Sequence, residues 1–302
     1  MEPAVLFWFY KKYGVCAQRL KVLREINPKA KIYGLYGGPV SEAQQAKASL
    51  GSHLEDLYVF PEERSAAWKW RNGDQLIARW YQERGKDLDW ETVFIMQWDM
   101  LPLAPLGKLF STLLPNQILL SGFRPVAEVE SWWPWAGEKN PVKRKEYDSF
   151  KEFLRFRFGY EGPLFACLFV VVCFPRSFLQ RYSDESIPET GFLEYKIPSL
   201  ARVFGTPICS DHPYEPWWAA NPQTRLLPSH RKLLNGVGRE VPTSVILREL
   251  SRPDGARLFH PVSRNIPRWI LANPGSWWTR GLSLLLDLHA RALTVRAFLP
   301  KR

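Results

Sequence analysis

The stretch Val93-Phe94-Ile95-Met96-Gln97-Trp98-Asp99 decides the fold. An apolar run without polar alternation, closed by an acid, is the pattern of a strand covered on both faces that ends at a polar turn. The chain upstream has the same rhythm. Ala4–Tyr10 is a buried-strand run, and Cys16–Ile26 is a helix with Leu20, Leu23 and Ile26 on one face, closed by Asn27-Pro28. Lys31–Tyr36 is a second strand, ended by Gly37-Gly38-Pro39. Ser41 caps a short helix through Leu50. Leu57–Phe60 is a third strand, Asp74–Arg84 an amphipathic helix, and Val93–Trp98 the fourth strand. Strands and helices alternating at this spacing call for parallel pairing with right-handed crossovers. The expected class is α/β, a single mostly parallel, Rossmann-like sheet flanked by helices, with an irregular C-terminal extension.

Downstream of Asp99 the rhythm changes. Pro102, Pro105 and Pro115 punctuate a loop or short helical segment, and Gln117–Gly122 reads as a strand. The Trp-rich stretch and Glu138–Lys145 read as an excursion, followed by a helix over Tyr147–Phe158. Leu164–Cys173 carries the strongest strand signal of the chain, with a helix starting at Arg176–Tyr182 and another over Ile197–Phe204. Beyond Asp211 the chain is irregular until Leu282–Phe298, an amphipathic basic helix. The expected organisation is one domain over residues 1–270 and a helical segment over 271–302.

A chain of 302 residues with 46% hydrophobic content has the makings of a large core, and disorder is excluded for most of its length. Its net charge of +11 favours an anionic partner such as a nucleotide or phosphate. Of the 14 tryptophans several cluster, at Trp132-Trp133-Pro134-Trp135, Trp217-Trp218 and Trp277-Trp278, offering flat faces suited to sugar rings, bases and headgroup layers. Core packing is the competing role for each. Cys16, Cys167, Cys173 and Cys209 lack metal-ligand spacing and suit a reducing compartment. The N-terminus shows no basic leader, and Phe165–Phe174 is too short to span a bilayer, so a cytoplasmic location is expected.

Ligands of open parallel sheets bind outside the carboxyl ends of the strands. Tyr10 and Lys11 follow the first strand, Tyr36-Gly37-Gly38 the second, and Asp99 the fourth. A nucleotide belongs there on position alone.

The arrangement resembles the nucleotide-sugar-dependent glycosyltransferases of the A-type fold. In that family an apolar strand runs into an Asp-x-Asp motif that holds a divalent metal on the donor diphosphate. Here Gln97 replaces the first acid and Asp99 matches the second. The resemblance implies a sugar transferase of polysaccharide biosynthesis, acting from a nucleotide-diphosphate sugar to a hydroxyl of a glycan or glycolipid. It implies manganese or magnesium on Asp99 and on His260, within Leu258-Phe259-His260-Pro261. Glu194 is implied as the base that deprotonates the acceptor, with Glu189 second. Tyr10, Arg19, Tyr36, Gly37, Gln97, Trp98, Asp99 and Arg264 are implied around the donor, and Arg257 is a further cation for the diphosphate. Trp217, Trp218, Asp211 and the Trp132–Trp135 cluster are implied around the acceptor. His53, His212, His230 and His289 lack comparable company.

Other classes lack their signatures: no phosphate-cradling Gly-x-x-x-x-Gly-Lys-Ser/Thr loop, no Gly-x-Gly-x-x-Gly after a strand, no Gly-x-Ser-x-Gly elbow. Nucleic-acid binding is permitted by charge and aromatics, but the basic residues are dispersed and no recognition motif is present. A catalytically inactive relative serving as a scaffold is a third reading, motivated by Gln97. The segment Trp277–Arg302 combines leucines, tryptophans and arginines in the manner of an interfacial helix, which suggests peripheral contact with an acidic membrane.

Overall fold

The computed structural model describes residues 4–137, 139–209 and 240–267. Their centre is a seven-stranded sheet of order β3-β2-β1-β4-β7-β6-β8. The strands are β1 (Ala4–Phe9), β2 (Lys31–Tyr36), β3 (Asp56–Val59), β4 (Thr92–Gln97), β6 (Ile118–Pro125), β7 (Phe165–Pro175) and β8 (Ile208–Cys209). Pairing is parallel from β3 through β2 and β1 to β4. β7 runs antiparallel to both β4 and β6, and β8 parallel to β6, so β7 alone of the seven is reversed. The mostly parallel α/β class expected from the sequence is the one observed.

Burial explains why the central strands lack alternation. Every residue of β1 and of β7 is buried, which requires cover on both faces of the sheet. The helices that supply it are α1 (Tyr13–Ile26), α2 (Ala43–Leu50), α3 (Ala66–Arg71), α4 (Gly73–Glu83), α5 (Leu106–Leu109), α6 (Pro141–Phe158), α7 (Arg176–Asp184) and α8 (Leu193–Val203). Registers Phe9↔Tyr36 and Trp8↔Gln97 align the carboxyl ends of β1, β2 and β4, so the residues that follow these strands share one edge of the sheet.

Several local expectations are corrected. Ser41 caps nothing: a 3-10 turn at Val40–Glu42 precedes α2, whose N-cap is Glu42. The unforeseen α3 is capped by Ser65, whose Oγ accepts the Trp68 N–H at 3.1 Å. α6 begins at Pro141, not Tyr147, because Asn140 Oδ1 accepts the Lys143 N–H and Pro141 occupies the first turn. α8 starts at Leu193, not Ile197. Pro198 lies inside it, where its ring cannot donate to the Glu194 carbonyl and crowds it.

The largest correction concerns the tail of the domain, expected to be irregular. α9 (Thr243–Leu250) and β9 (Leu258–Phe259) lie there, and β9 pairs antiparallel with β5 (Leu101–Pro102). A second small core, including Leu101, Ile246, Leu247, Phe259 and Ile266, seals this attachment. The ladder Leu101↔Phe259 carries His260 back to the end of β4.

Asp211, His212, Trp217, Trp218, His230, His289 and the segment 271–302, with its proposed boundary, lie outside the described residues. Among the described residues no helix is long and apolar enough to cross a membrane.

Candidate functional site

The carboxyl ends of β1 and β4 open onto a cavity of about 190 Å³ lined by Tyr10, Trp70, Gln97, Asp99, Glu194 and His260, among others. Five separate stretches of chain supply these groups. Asp99 follows β4 after the Trp98 N–H has bonded the Trp8 carbonyl at 2.9 Å, which extends the β1–β4 ladder by one step. The Asp99 carbonyl in turn accepts the Val262 N–H at 2.7 Å, so the residue that ends β4 also anchors the strap carrying His260.

His260 Nε2 stands 3.5 Å from Asp99 Oδ1, at ion-pair distance. That oxygen is buried, and the His260 imidazole at the edge of hydrogen-bond distance is the polar side chain that meets it. Burial pushes the Asp99 carboxyl up, but the His260 imidazole and the Lys11 ammonium outweigh it and hold the group below the usual carboxylate range.

Glu194 lies in the first turn of α8, packed against β7. Its Oε1 accepts the Phe169 N–H at 2.8 Å. Burial pushes its pKa up to about 8, against a smaller lowering from that hydrogen bond. Gln97 explains its departure from an acid. Its Nε2 donates to the Phe169 carbonyl at 2.7 Å, just past the last β4–β7 backbone pair, Met96↔Val171. An ionised carboxylate has no hydrogen to give that carbonyl. Glu194 and Gln97 thus hold opposite ends of one residue's backbone.

Other expected residues are placed elsewhere. Glu189 is on the surface, bonded to Arg64 at 3.2 Å and Trp68 Nε1 at 3.1 Å. It faces a separate polar cavity of about 420 Å³. Arg19 is buried and spends its guanidinium on the carbonyls of Val262 at 2.9 Å and Arg264 at 2.6 Å. Arg264 bonds Glu240, the Val241 carbonyl and Thr243. Arg257 ties together carbonyls of its own loop, Glu249 and Gly255 among them. These arginines are structural braces. The buried Tyr36 hydroxyl meets Tyr13 at 3.0 Å. Gly37 is a packing glycine, since a Cβ there would stand 3.0 Å from Trp8 Nε1 and 3.1 Å from Leu76.

The tryptophan cluster is also redirected. Trp133 is buried, and Trp135 stacks on Phe192 at 4.0 Å. The ring left in the open is Trp70, 46% exposed at the cavity wall and supported by Trp135 and Phe192 at 5.6 and 5.2 Å. Nothing in the run Trp68-Lys69-Trp70-Arg71 distinguishes it by sequence: Trp68 stacks on Phe60 instead. Trp98 is buried, edge-on to Tyr10 at 6.0 Å.

As a metal seat the cavity offers one carboxylate and one imidazole. Among the described residues no group of three or more His, Cys, Asp or Glu could hold a metal ion.

The sequence matches no protein-family model and no curated protein. Among solved structures, the chain is similar to the galactosyltransferase LgtC in complex with donor and acceptor sugar analogs. Identity is 12% and the TM-score 0.41, over 74% of this chain and 78% of that one. An active-site mutant of LgtC is similar at 13% identity and a TM-score of 0.38, over 75% and 79% of the two chains.

Proposed function

We propose that the cavity transfers a sugar from a nucleotide-diphosphate sugar to a hydroxyl of a glycan or glycolipid. The observation that carries this is the convergence of Asp99, His260 and Glu194, from three distant stretches, on one cavity at the strand ends. That edge is where open parallel sheets receive nucleotides.

In the reaction the acceptor oxygen bonds to the anomeric carbon as the carbon–oxygen bond to the diphosphate breaks, and the diphosphate leaves with the electron pair. The acceptor proton passes to Glu194, a carboxylate held in place by the Phe169 N–H. Asp99 and His260 fit a divalent cation that accepts a borderline imidazole beside carboxylate and phosphate oxygens, manganese before magnesium, and the buried Asp99 Oδ1 is the oxygen that would face it. Such ions commonly take one or two protein ligands and complete their shell with phosphate oxygens and water. When bound, magnesium or manganese would supply charge stabilisation to the leaving diphosphate. Trp70 offers the acceptor an apolar face.

The test is a screen of nucleotide sugars, with manganese and magnesium, for binding, donor hydrolysis and transfer. Asp99→Asn, His260→Ala and Glu194→Gln are compared with the parent chain. The proposal expects Asp99→Asn and His260→Ala to lose hydrolysis and transfer together. Unchanged rates in both variants would overturn it. Donor binding without any turnover in the parent chain would support the inactive-scaffold reading, which the commitment of the Gln97 amide to a carbonyl favours.

A further inference from the structure

A donor diphosphate needs positive charge, and the structure removes the arginines that the sequence offered for it. Arg19, Arg257 and Arg264 all spend their guanidinium groups on carbonyls and on Glu240. Lys12 donates to the Ser263 carbonyl at 2.9 Å, and Lys69 is buried against the Gly38 carbonyl at 2.9 Å. Arg71 pairs with Glu146.

Lys11 is different. It is exposed, directly after Tyr10 at the end of β1. Its Nζ lies 5.0 Å from the centroid of the Tyr10 ring and 5.2 Å from that of Trp98. Its charge reaches the Asp99 carboxylate and lowers its pKa, together with His260. No hydrogen bond or ion pair from a described residue engages the ammonium. Cation–π contacts hold a charge in place without consuming its three hydrogen-bond donors. α1 starts two residues later with no acid in its first turn, so the local field is positive from both sources.

Resting on the sugar-transfer reading, we infer that Lys11 is the phosphate contact of the site. It binds the diphosphate of the donor directly, and it gives the site an affinity for nucleoside diphosphates that persists without a metal. A seat of one carboxylate and one imidazole holds a cation through few protein ligands, so the Lys11 ammonium carries the diphosphate when that cation is absent.

Isothermal titration of the full chain with the ribonucleoside diphosphates, in EDTA and again in manganese, tests this. The corresponding nucleosides serve as controls, and Lys11→Ala and Lys11→Arg are compared with the parent chain. At least one nucleoside diphosphate is expected to bind in EDTA. Lys11→Ala should weaken it about tenfold or more, the loss of one charged hydrogen bond. Lys11→Arg should retain most of the affinity, and nucleoside binding should not change between variants. Because the side chain is exposed, Lys11→Ala is expected to fold, which its melting temperature checks. Binding that requires manganese, or that is equal in Lys11→Ala and the parent chain, overturns the inference and leaves the sugar-transfer reading standing. Failure of every diphosphate to bind in either buffer sinks both.

Discussion

Glu194 Oε1 accepts a 2.8 Å hydrogen bond from the backbone N–H of Phe169, across the contact between α8 and β7. A carboxylate that accepts an N–H is ordinarily easy to ionise, yet this one has its pKa raised to about 8 because it is buried. The proton count fixes the consequence. The ordinary value for the group is 4.5, so between about pH 4.5 and 8 the folded chain holds a proton that the unfolded chain has released. Stability therefore falls as pH rises through that window, with a limiting slope of about 1.4 kcal/mol per pH unit from this group. Glu194→Gln keeps an oxygen for the Phe169 N–H and cannot ionise. Urea denaturation at pH 5, 7 and 9 should show the variant gaining on the parent chain as pH rises. Parallel stability profiles would contradict the burial account. The acid–base role predicts in addition that transfer rises as pH approaches 8, since only the ionised form accepts the proton.

Gln97 holds the other end of the same residue, donating 2.7 Å to the Phe169 carbonyl. Gln97→Glu preserves shape and removes the donor, setting oxygen against oxygen. The expected cost is about 1–3 kcal/mol at neutral pH, easing as pH falls and the new carboxyl regains a proton to donate. Thermal melts at pH 5 and 8 check both parts. A variant as stable as the parent chain at pH 8 would show that the Gln97 bond contributes little.

Arg19 braces the strap that carries His260, through the carbonyls of Val262 and Arg264. Its guanidinium is buried, and burial lowers its pKa to about 10, so the charge persists at neutral pH. Arg19→Met should leave those carbonyls unsatisfied and destabilise the chain by about 2–4 kcal/mol. Arg19→Lys should recover only part, because Nη2 alone meets both carbonyls while Nη1 holds Gln18 Oε1 at 2.8 Å, and the shorter stem and single nitrogen of lysine cannot serve both positions. Proteolysis within residues 240–267 that accelerates in both variants is the expected signature. A full rescue by Lys would show that charge alone matters there.

How much of this was legible in the sequence depends on whether the deciding interactions are local. The uninterrupted apolar runs Ala4–Phe9 and Val93–Met96 announce covered strands, because burial on both faces removes alternation. The sequence resemblance brought Asp99, His260 and Glu194 forward, and they do share a cavity. The partners of the arginines were not legible. Arg19 and the carbonyl it meets at Val262 are 243 positions apart, and no local pattern separates a phosphate-binding guanidinium from one buried among carbonyls. The same holds for Trp70, whose exposure is set by Trp135 and Phe192 taking the space behind it. The short strand Leu258–Phe259 was missed because two residues carry no periodicity; its partner, Leu101–Pro102, is what makes it a strand.

A buried ion pair fixes where α8 lies and therefore where Glu194 points. Lys196 Nζ meets Asp74 Oδ2 at 2.7 Å with both side chains fully buried, two residues beyond Glu194. Tyr182 donates to the same Asp74 oxygen at 2.6 Å, and the Pro188 carbonyl lies 3.3 Å from the Lys196 ammonium, so α4, α7 and α8 meet at one charged point. Taking two charges out of water costs most of what their attraction returns, so the pair is a poor source of stability but a strict one of register. Lys196→Met alone strands the Asp74 carboxylate in the core and should cost about 3–5 kcal/mol. Asp74→Asn with Lys196→Met removes both charges and keeps an acceptor for Tyr182, so most of that loss should be recovered. If the pair also positions α8, the double variant will be stable and yet poor in transfer, because nothing polar then pins the helix against α4. The pH at which its residual activity rises should move away from 8, as Glu194 settles in a different environment. A double variant that is stable, fully active and unshifted in its pH profile would reduce the pair to a structural residue of the core. A double variant as unstable as Lys196→Met would show instead that the pair itself contributes net stability, against the desolvation argument.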